Sequence, residues 1–509
     1  MTQPLSAEEL KQAIDTPVFH LVGDCADAIP VRTCVVGGYV RDILLRRHSK
    51  DIDFVAVGSG IDLAKSVARK LKVRISVYAT YGTAQVRADG QELEFVGARK
   101  ESYTPDSRNP EVSAGSLEDD LRRRDFTVNA MALSVNSEDF GTLIDPFDGF
   151  VDLQRRTLRT PLDPDVTFSD DPLRMMRAIR FATQLDFRID PDTFEAIKRN
   201  ASRLEIITRE RINDELSKIM RSPRPSVGWR LLDESGLLPL VFPEIIELKG
   251  VETVEGKGHK DNFAHTLQVL DNVAERSDKE WLRWAALLHD IGKPATKRFE
   301  PGVGWTFKNH NFIGEKMIPR IFRRHKLPLN EKMKYVAKLV GLHMRPQAVG
   351  DDDVTDRGIR RLCREAGEDL EDLMILAEAD ITSKNPVKVQ RILKNFRYVR
   401  ERMKEVADRD AEREWENPVN GHMIKALFGL PDSPLLGELR NRIKEEIYCI
   451  PEHENFDYAM AYLLKIAPEY DLVPLPDVDI ESLRTLGVRK KEKDASSAVE
   501  NEPVRGVGG

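Results

Sequence analysis

Residues 35–58 read VVGGYVRDILLRRHSKDIDFVAVG. Val35 and Val36 form a short apolar run that suits a buried strand. Gly37 and Gly38 break it with a tight turn and let the backbone come close to a ligand. Tyr39 to Arg47 has helical spacing, and Ile52 to Val57 reads as a second strand. Residues two apart on a strand share a face, so Asp51 and Asp53 present two carboxylates side by side. Paired hard oxygen donors suit Mg²⁺, and two such ions clamp the oxygens of an in-line phosphoryl displacement. A solvated acidic pair at a strand edge is the plainer reading. The Gly-Gly turn and Arg41-Asp42 in the same unit favour the ligand-binding one.

Working outward, VYATYGTAQVRADGQELEFVGAR (77–99) alternates around Asp89-Gly90 and predicts a hairpin. Either Glu92 or Glu94 fits a third carboxylate; Glu94, leading into Phe95-Val96, is preferred. LRRRDFTVNAMAL (121–133) sets three arginines before an apolar stretch expected to be a helix, capped by Asp125 or Thr127 and carrying the polar Asn129. Arginines at a helix entrance suit triphosphate oxygens. DDPLRMMRAIRF (170–181) spaces Asp171, Arg174, Arg177 and Arg180 by threes, which keeps neighbours near each other on a helix. A carboxylate accepts from an exocyclic amino group, and a guanidinium donates to a ring nitrogen or carbonyl. Asp171 with Arg174 would therefore accept cytosine and adenine and reject uracil and guanine. Beyond about residue 165 the chain reads as helices broken by Pro and Gly, with almost no convincing strand.

The 509 residues exceed a single core, and the composition is that of a globular protein. No apolar run reaches the length of a membrane span, and the polar, acidic start MTQPLSAEELKQAID does not look like a signal peptide. Cys25, Cys34, Cys363 and Cys449 lack metal-ligand spacing and read as reduced thiols, which with the rest implies a cytoplasmic protein. A net charge of −7 argues against a uniformly basic coat for nucleic acid but leaves room for local patches.

The ordered segments GGYVRD with DID, RRRDFTVNA, DPFDGFVDL, DDPLRMMRAIRF and ERINDELSKIM, spread over residues 31–220, resemble the bacterial class II tRNA nucleotidyltransferases, the CCA-adding enzyme and poly(A) polymerase family. The resemblance implies that Asp51 and Asp53 bind catalytic Mg²⁺ with Glu94 as third carboxylate. It assigns nucleotide contacts to Gly38, Arg41, Arg124, with Asp125 and Asn129 beside it, and Arg177, and base reading to Asp171 and Arg174; Gly37, Asp42 and Arg180 are expected at the same nucleotide site. Glu210, Arg211 and Glu215 fall in the element that buttresses the base-reading helix. Two positions depart from the family's usual pattern: Asp170 stands where Glu is common, and Arg46 where many members have Gly. The implied partners are tRNA, ATP and CTP, with no membrane. The polar stretch 104–120 resembles the flexible loop that lets such enzymes switch from CTP to ATP. Full CCA addition is thereby expected, with A-adding or CC-adding specialists and poly(A) polymerases as alternatives.

AALLHDIGKPATK (285–297) puts His289 and Asp290 at the end of an apolar helix, and His265, His310, His343 and Asp380 fall on successive predicted helices. Helices that each donate an inward His or Asp can build a metal site. The pattern resembles the HD phosphohydrolases over residues 255–385. That implies His265, His289, Asp290 and Asp380 as ligands of one divalent metal, a transition metal or Mg²⁺, with His310 and His343 available for a second. A phosphohydrolase acting on RNA ends or nucleotides is the alternative from another class. Lys384, Lys388, Arg391, Lys394, Arg397, Arg400 and Lys404, opposed only by Glu401, form a local basic run suited to an RNA backbone. The expected architecture is α+β. A connector (1–30) leads into an α/β nucleotidyltransferase head with a small mixed sheet (31–160). An extended all-α body follows: a base-reading and RNA-binding region (161–250), an HD domain (251–405) and a tRNA-binding region (406–486). A disordered tail (487–509) ends the chain.

Overall fold

The computed structural model describes residues 7–484 except 50, 89, 105–106, 255–256, 259–260, 352–355, 384, 415–416, 448–451 and 454. The expected disordered tail and Lys384 lie outside the described residues. The chain divides into two units, residues 1–401 and 402–509.

The strands of the head are β1 (Thr33–Val36), β2 (Asp51–Ala56), β3 (Ile75–Tyr78), β4 (Thr83–Ala88), β5 (Gln91–Gly97), β6 (Arg99–Thr104), β7 (Ser107–Ala114), β8 (Ala132–Ser134) and β9 (Leu143–Ile144). Seven of them form one mixed sheet in the order β3-β4-β5-β2-β1-β8-β9. β2 and β5 run parallel, with Asp53 opposite Glu94 and Asp51 opposite Glu92. β2 is antiparallel to β1, with Asp53 opposite Val36, the last residue before the Gly-Gly turn. The period of two decides which face is which. Ile52, Phe54 and Ala56 join the larger core, built with the helices Pro17–Ala28 and Gly60–Leu71 and including the stacked rings of Phe54 and Phe95, 5.1 Å apart. Asp51, Asp53 and Val55 fall on the opposite face, where Val55 packs with Val36, Leu117, Leu121 and Ala132. One strand thus anchors the sheet and presents two carboxylates.

Four expectations need correcting. The apolar stretch after Arg124 is not a helix: it is a single 3-10 turn, Thr127–Asn129, followed by β8. β8 is buried throughout beside β1, and a strand without a solvent face has no alternation to distinguish it from a helix. The polar stretch 104–120 is not simply a loop. Its backbone pairs in the β6–β7 ribbon, and a helix follows at Leu117–Arg122, begun by a capping box of Ser116 and Asp119. Asp171 does not share a helix with Arg174. It adopts an extended backbone (φ −137°) between the helices Pro164–Asp170 and Leu173–Leu185, because Pro172 follows it. Finally, short strands do occur beyond residue 165, at Arg188–Ile189 paired with Thr157–Leu158 and in the hairpin Arg298–Glu300 with Gly304–Thr306.

The remainder of the first unit is helical apart from one further short pair of strands, Thr253–Val254 with Lys257–Gly258. In the second unit the helices Gly421–Phe428, Pro434–Ile447 and Phe456–Ile466 enclose a core that includes Ile424, Leu427, Leu439, Ile443 and Leu463. Among the described residues no helix is long and apolar enough to cross a membrane.

Candidate active site and metal centre

A cleft of about 610 Å³ opens over the carboxylate face of the sheet. Gly37, Gly38, Arg41, Asp42, Asp51, Asp53, Arg124, Asp125, Asn129, Asp171, Arg174, Arg177 and Arg180 all line it. Segments as distant in sequence as Gly37 and Arg180 therefore meet at one surface. Arg123 and Arg211 also line it, and so do Tyr39, Ser49 and Phe181, which carry no charge to draw attention in a sequence. The guanidinium of Arg180 lies 3.9 Å from the centre of the Phe181 ring, with those of Arg41 and Arg177 at 5.1 and 5.2 Å. An aromatic face stabilises cations packed this closely.

Gly37 has φ +77°, a conformation side chains resist, and an added Cβ there would lie 2.7 Å from Arg124 Nη1 and 3.8 Å from Asp53 Oδ2. Burial pushes the Asp53 carboxyl up, Arg124 opposes this, and the neighbouring charge of Asp51 adds to it. Burial and Asp53 likewise raise Glu94. Of the two strand glutamates, Glu92 lies opposite Asp51, is engaged by Gln85 and faces Arg87, whereas Glu94 lies opposite Asp53 on the adjacent strand. Asp51 and Asp53 line the cleft, while Glu94 is not among its lining residues and lies beside Asp53 across the β2–β5 pairing. Paired carboxylates are the donor type that a divalent cation takes.

Asp125 is the hub of the cationic wall. Its Oδ2 accepts from Arg177 Nε at 2.7 Å, and its Oδ1 from Asn129 Nδ2 at 3.0 Å and the Phe126 N–H at 2.9 Å. Asn129 Oδ1 in turn accepts from Arg41 Nη1 at 2.8 Å, and Arg41 Nε donates to Asp42 at 2.9 Å. Burial alone would raise Asp125, but Arg177 and Asn129 hold it at about 2. Arg180 pairs with the buried Glu215 at 2.6 Å, which ties the helix Leu173–Leu185 to the helix Arg209–Met220. At the expected base-reading pair, Asp171 Oδ1 accepts from the Leu173 N–H at 3.1 Å, and Arg174 Nη2 donates to the Arg123 carbonyl at 2.7 Å.

The six expected residues of the second centre also converge. His265 Nε2 lies 2.9 Å from Asp380 and 3.5 Å from Asp290, and His289 Nε2 lies 3.2 Å from Asp290 and 3.6 Å from Asp380. His310 Nε2 is 3.3 Å from both Asp290 and His343 Nε2. The opposite ring nitrogens are all engaged. Nδ1 of His289, His310 and His343 meets the carbonyls of Ala286, Phe307 and Val340 at 2.7–2.8 Å, and His265 Nδ1 meets Thr382 Oγ1 at 2.8 Å. The three carbonyls can only accept, so they fix the Nδ1–H tautomer of His289, His310 and His343 and leave Nε2 as the ligand atom. The buried Nε2 of His289 has no hydrogen-bond partner. With the back of each ring already held, the Nε2 atoms and the two carboxylates make a donor set that fits a divalent metal.

The basic run lies on the helix Pro386–Glu414. Ile392, Phe396 and Val399 are buried, while Lys388, Arg391, Lys394 and Arg397 are exposed. Arg400 differs, being paired with Glu371 and Glu378.

A mixed sheet carrying paired carboxylates beneath an arginine-lined cleft defines a nucleotidyltransferase head, and the His/Asp cluster has the composition of an HD-type site. Residues 33–159 match the Poly A polymerase head domain, 186–248 the Probable RNA and SrmB-binding site of polymerase A, and 262–385 the HD domain. The A-adding tRNA nucleotidyltransferase of Deinococcus radiodurans is 37% identical over 428 residues, covering 82% of this chain and 91% of that protein. The Multifunctional CCA protein of Psychromonas ingrahamii is 34% identical over 322 residues, covering 61% and 73%. The A-adding tRNA nucleotidyltransferase of Aquifex aeolicus is 35% identical over 306 residues, covering 56% of this chain; only 35% of that longer relative is spanned. A crystal structure of a tRNA nucleotidyltransferase with a primer tRNA and an incoming ATP analogue superimposes with a TM-score of 0.53 at 26% identity, covering 75% of this chain and 98% of that one. The chain belongs to the tRNA nucleotidyltransferase family and carries that family's polymerase head together with an HD domain.

Proposed function

We propose that this enzyme adds CCA to tRNA 3′ ends from CTP and ATP without a nucleic-acid template. The observation that carries the reading is one cleft in which Asp51 and Asp53 face six arginines and the Asp171-Arg174 turn. Asp51, Asp53 and Glu94 would hold Mg²⁺, which would supply charge neutralisation as the tRNA 3′ hydroxyl attacks the α-phosphate in line, the α–β phosphoanhydride bond breaks and pyrophosphate leaves. The residues of the chain do the positioning. Arg41, Arg124, Arg177 and Arg180 grip the triphosphate through charge-assisted hydrogen bonds. Asp171 accepts from the exocyclic amino group of the base, and Arg174 donates to its ring acceptor. His265, His289, Asp290 and Asp380 would hold a second divalent ion, with His310 and His343 beside it, for phosphohydrolase chemistry. Lys388, Arg391, Lys394 and Arg397 offer backbone contacts to tRNA, and a cytoplasmic location belongs to the same proposal.

The names of the Deinococcus radiodurans and Aquifex aeolicus relatives favour a second reading, addition of the terminal A alone. Purified enzyme is incubated with tRNAs lacking one, two or three 3′ nucleotides, with CTP and ATP singly and together, and the ends are sequenced. Completion of CCA followed by a stop supports the first reading, and extension only of tRNA ending in CC supports the second. Long A runs would make it a poly(A) polymerase. Incorporation that survives Asp51→Ala or Asp53→Ala would overturn the assignment of the active site.

A further inference from the structure

The described structure contains one carboxylate beside the cleft that is fully buried and lines no ligand surface. Asp120, on the helix Leu117–Arg122, has no solvent exposure. Its Oδ1 accepts from Arg123 Nε at 3.0 Å and Nη2 at 2.6 Å, and its Oδ2 accepts from Arg124 Nη2 at 3.1 Å. Both arginines line the cleft. Arg124 directs Nη1 at the Gly37 turn beside Asp53, at the carboxylate end of the site. Arg123 presents its carbonyl to Arg174 Nη2 at 2.7 Å, at the base-reading end. One buried anion therefore sits behind both ends of the site.

We infer that Asp120 is a positioning residue that fixes the phosphate-side guanidinium of Arg124 and, through the Arg123 backbone, the base-reading guanidinium of Arg174. Three physical points support this. A buried carboxylate holding two guanidiniums at fixed geometry restricts side chains that otherwise sample many rotamers. Arg124 uses one edge of its fork on Asp120 and keeps Nη1 at the cleft. The helix carrying Asp120 is anchored to the sheet through Leu117 and Leu121, so the anchor is rigid relative to Asp53. Neither end of the site has to be ordered anew when a nucleotide enters.

The inference rests on the proposed nucleotide site, and its test separates the two. Asp120→Asn keeps the volume and removes the charge. Equilibrium binding of CTP and ATP is measured without tRNA, alongside steady-state addition with all four nucleotides. The expected result is a Kd and KM for nucleotide raised about tenfold or more, with UMP and GMP misincorporation raised severalfold and the KM for tRNA unchanged. Asp120→Glu, which retains the ion pair but displaces it by one methylene, should show smaller changes in the same direction and serves as the test if the Asn variant does not fold. A folded variant with nucleotide Kd and KM within twofold of wild type and unchanged fidelity overturns the inference, even if kcat falls, because loss of turnover alone marks a structural role. Wild-type enzyme that binds nucleotides but extends no tRNA would instead overturn the proposed function, and the Kd comparison would still decide the role of Asp120.

Discussion

Replacing Asp125 by Asn tests how the cationic wall is held. The substitution keeps the shape of a buried side chain but removes the charge that faces Arg177 at 2.5–2.7 Å. Asp125 is held at about 2, against 3.8 for an ordinary aspartate. At about 1.4 kcal/mol per pH unit this corresponds to roughly 2–3 kcal/mol favouring the ionised folded state. The folded value is depressed, so this stability is fully present above the unfolded value near 4 and is lost as pH falls towards 2. Removing one member of a buried pair also strands the other, which puts the upper range nearer 3–5 kcal/mol. Calorimetric melting of wild type and Asp125→Asn should therefore differ by several degrees at pH 7. The gap should stay constant down to about pH 5 and narrow between about 4 and 2. Asn129 and Arg41 hang on the same hub, so nucleotide affinity should fall as well. A variant that melts within one degree of wild type at pH 7, or a gap that widens in acid, would refute the reasoning.

Gly37→Ala forces a residue with a side chain into φ +77° and brings its Cβ to 2.7 Å from Arg124 Nη1. The backbone strain costs about 1–3 kcal/mol, and displacement of Arg124 should raise the nucleotide KM roughly tenfold; an unchanged KM in initial-rate assays would contradict the role of the turn. Changing Lys388, Arg391, Lys394 and Arg397 together to Gln should weaken tRNA binding and flatten the slope of log affinity against log salt by roughly 3, measured by filter binding. An identical slope would mean that this face does not meet RNA. His289→Ala should abolish metal retention at the HD centre, read by elemental analysis after gel filtration, while nucleotide addition by the head continues. Unaltered metal content would show that the cluster is not the ion's site.

The chemistry of the site was legible in the chain wherever charge and spacing are local. The alternation of Asp51 and Asp53 with Ile52 and Phe54 on one strand determines which side chains are core and which are offered to a ligand. Ordered motifs supplied the arginines, and His289-Asp290 pointed to a second metal centre. Long-range registration was not legible. The parallel pairing of β2 with β5 puts Glu94, not Glu92, beside Asp53, and nothing within QELEF decides that. β8 lies buried beside β1 and so lost the alternation that marks a strand, while Pro172 set Asp171 off the helix that its spacing suggested. Phe181 carries no charge, and Asp120 looked like one more acid in an acidic run; only packing makes one a platform for three guanidiniums and the other a buried anion between two arginines. Sequence determines which groups can ionise or alternate. The tertiary structure decides which of them lose their water, and burial without water is what makes a charge hold its neighbours in place.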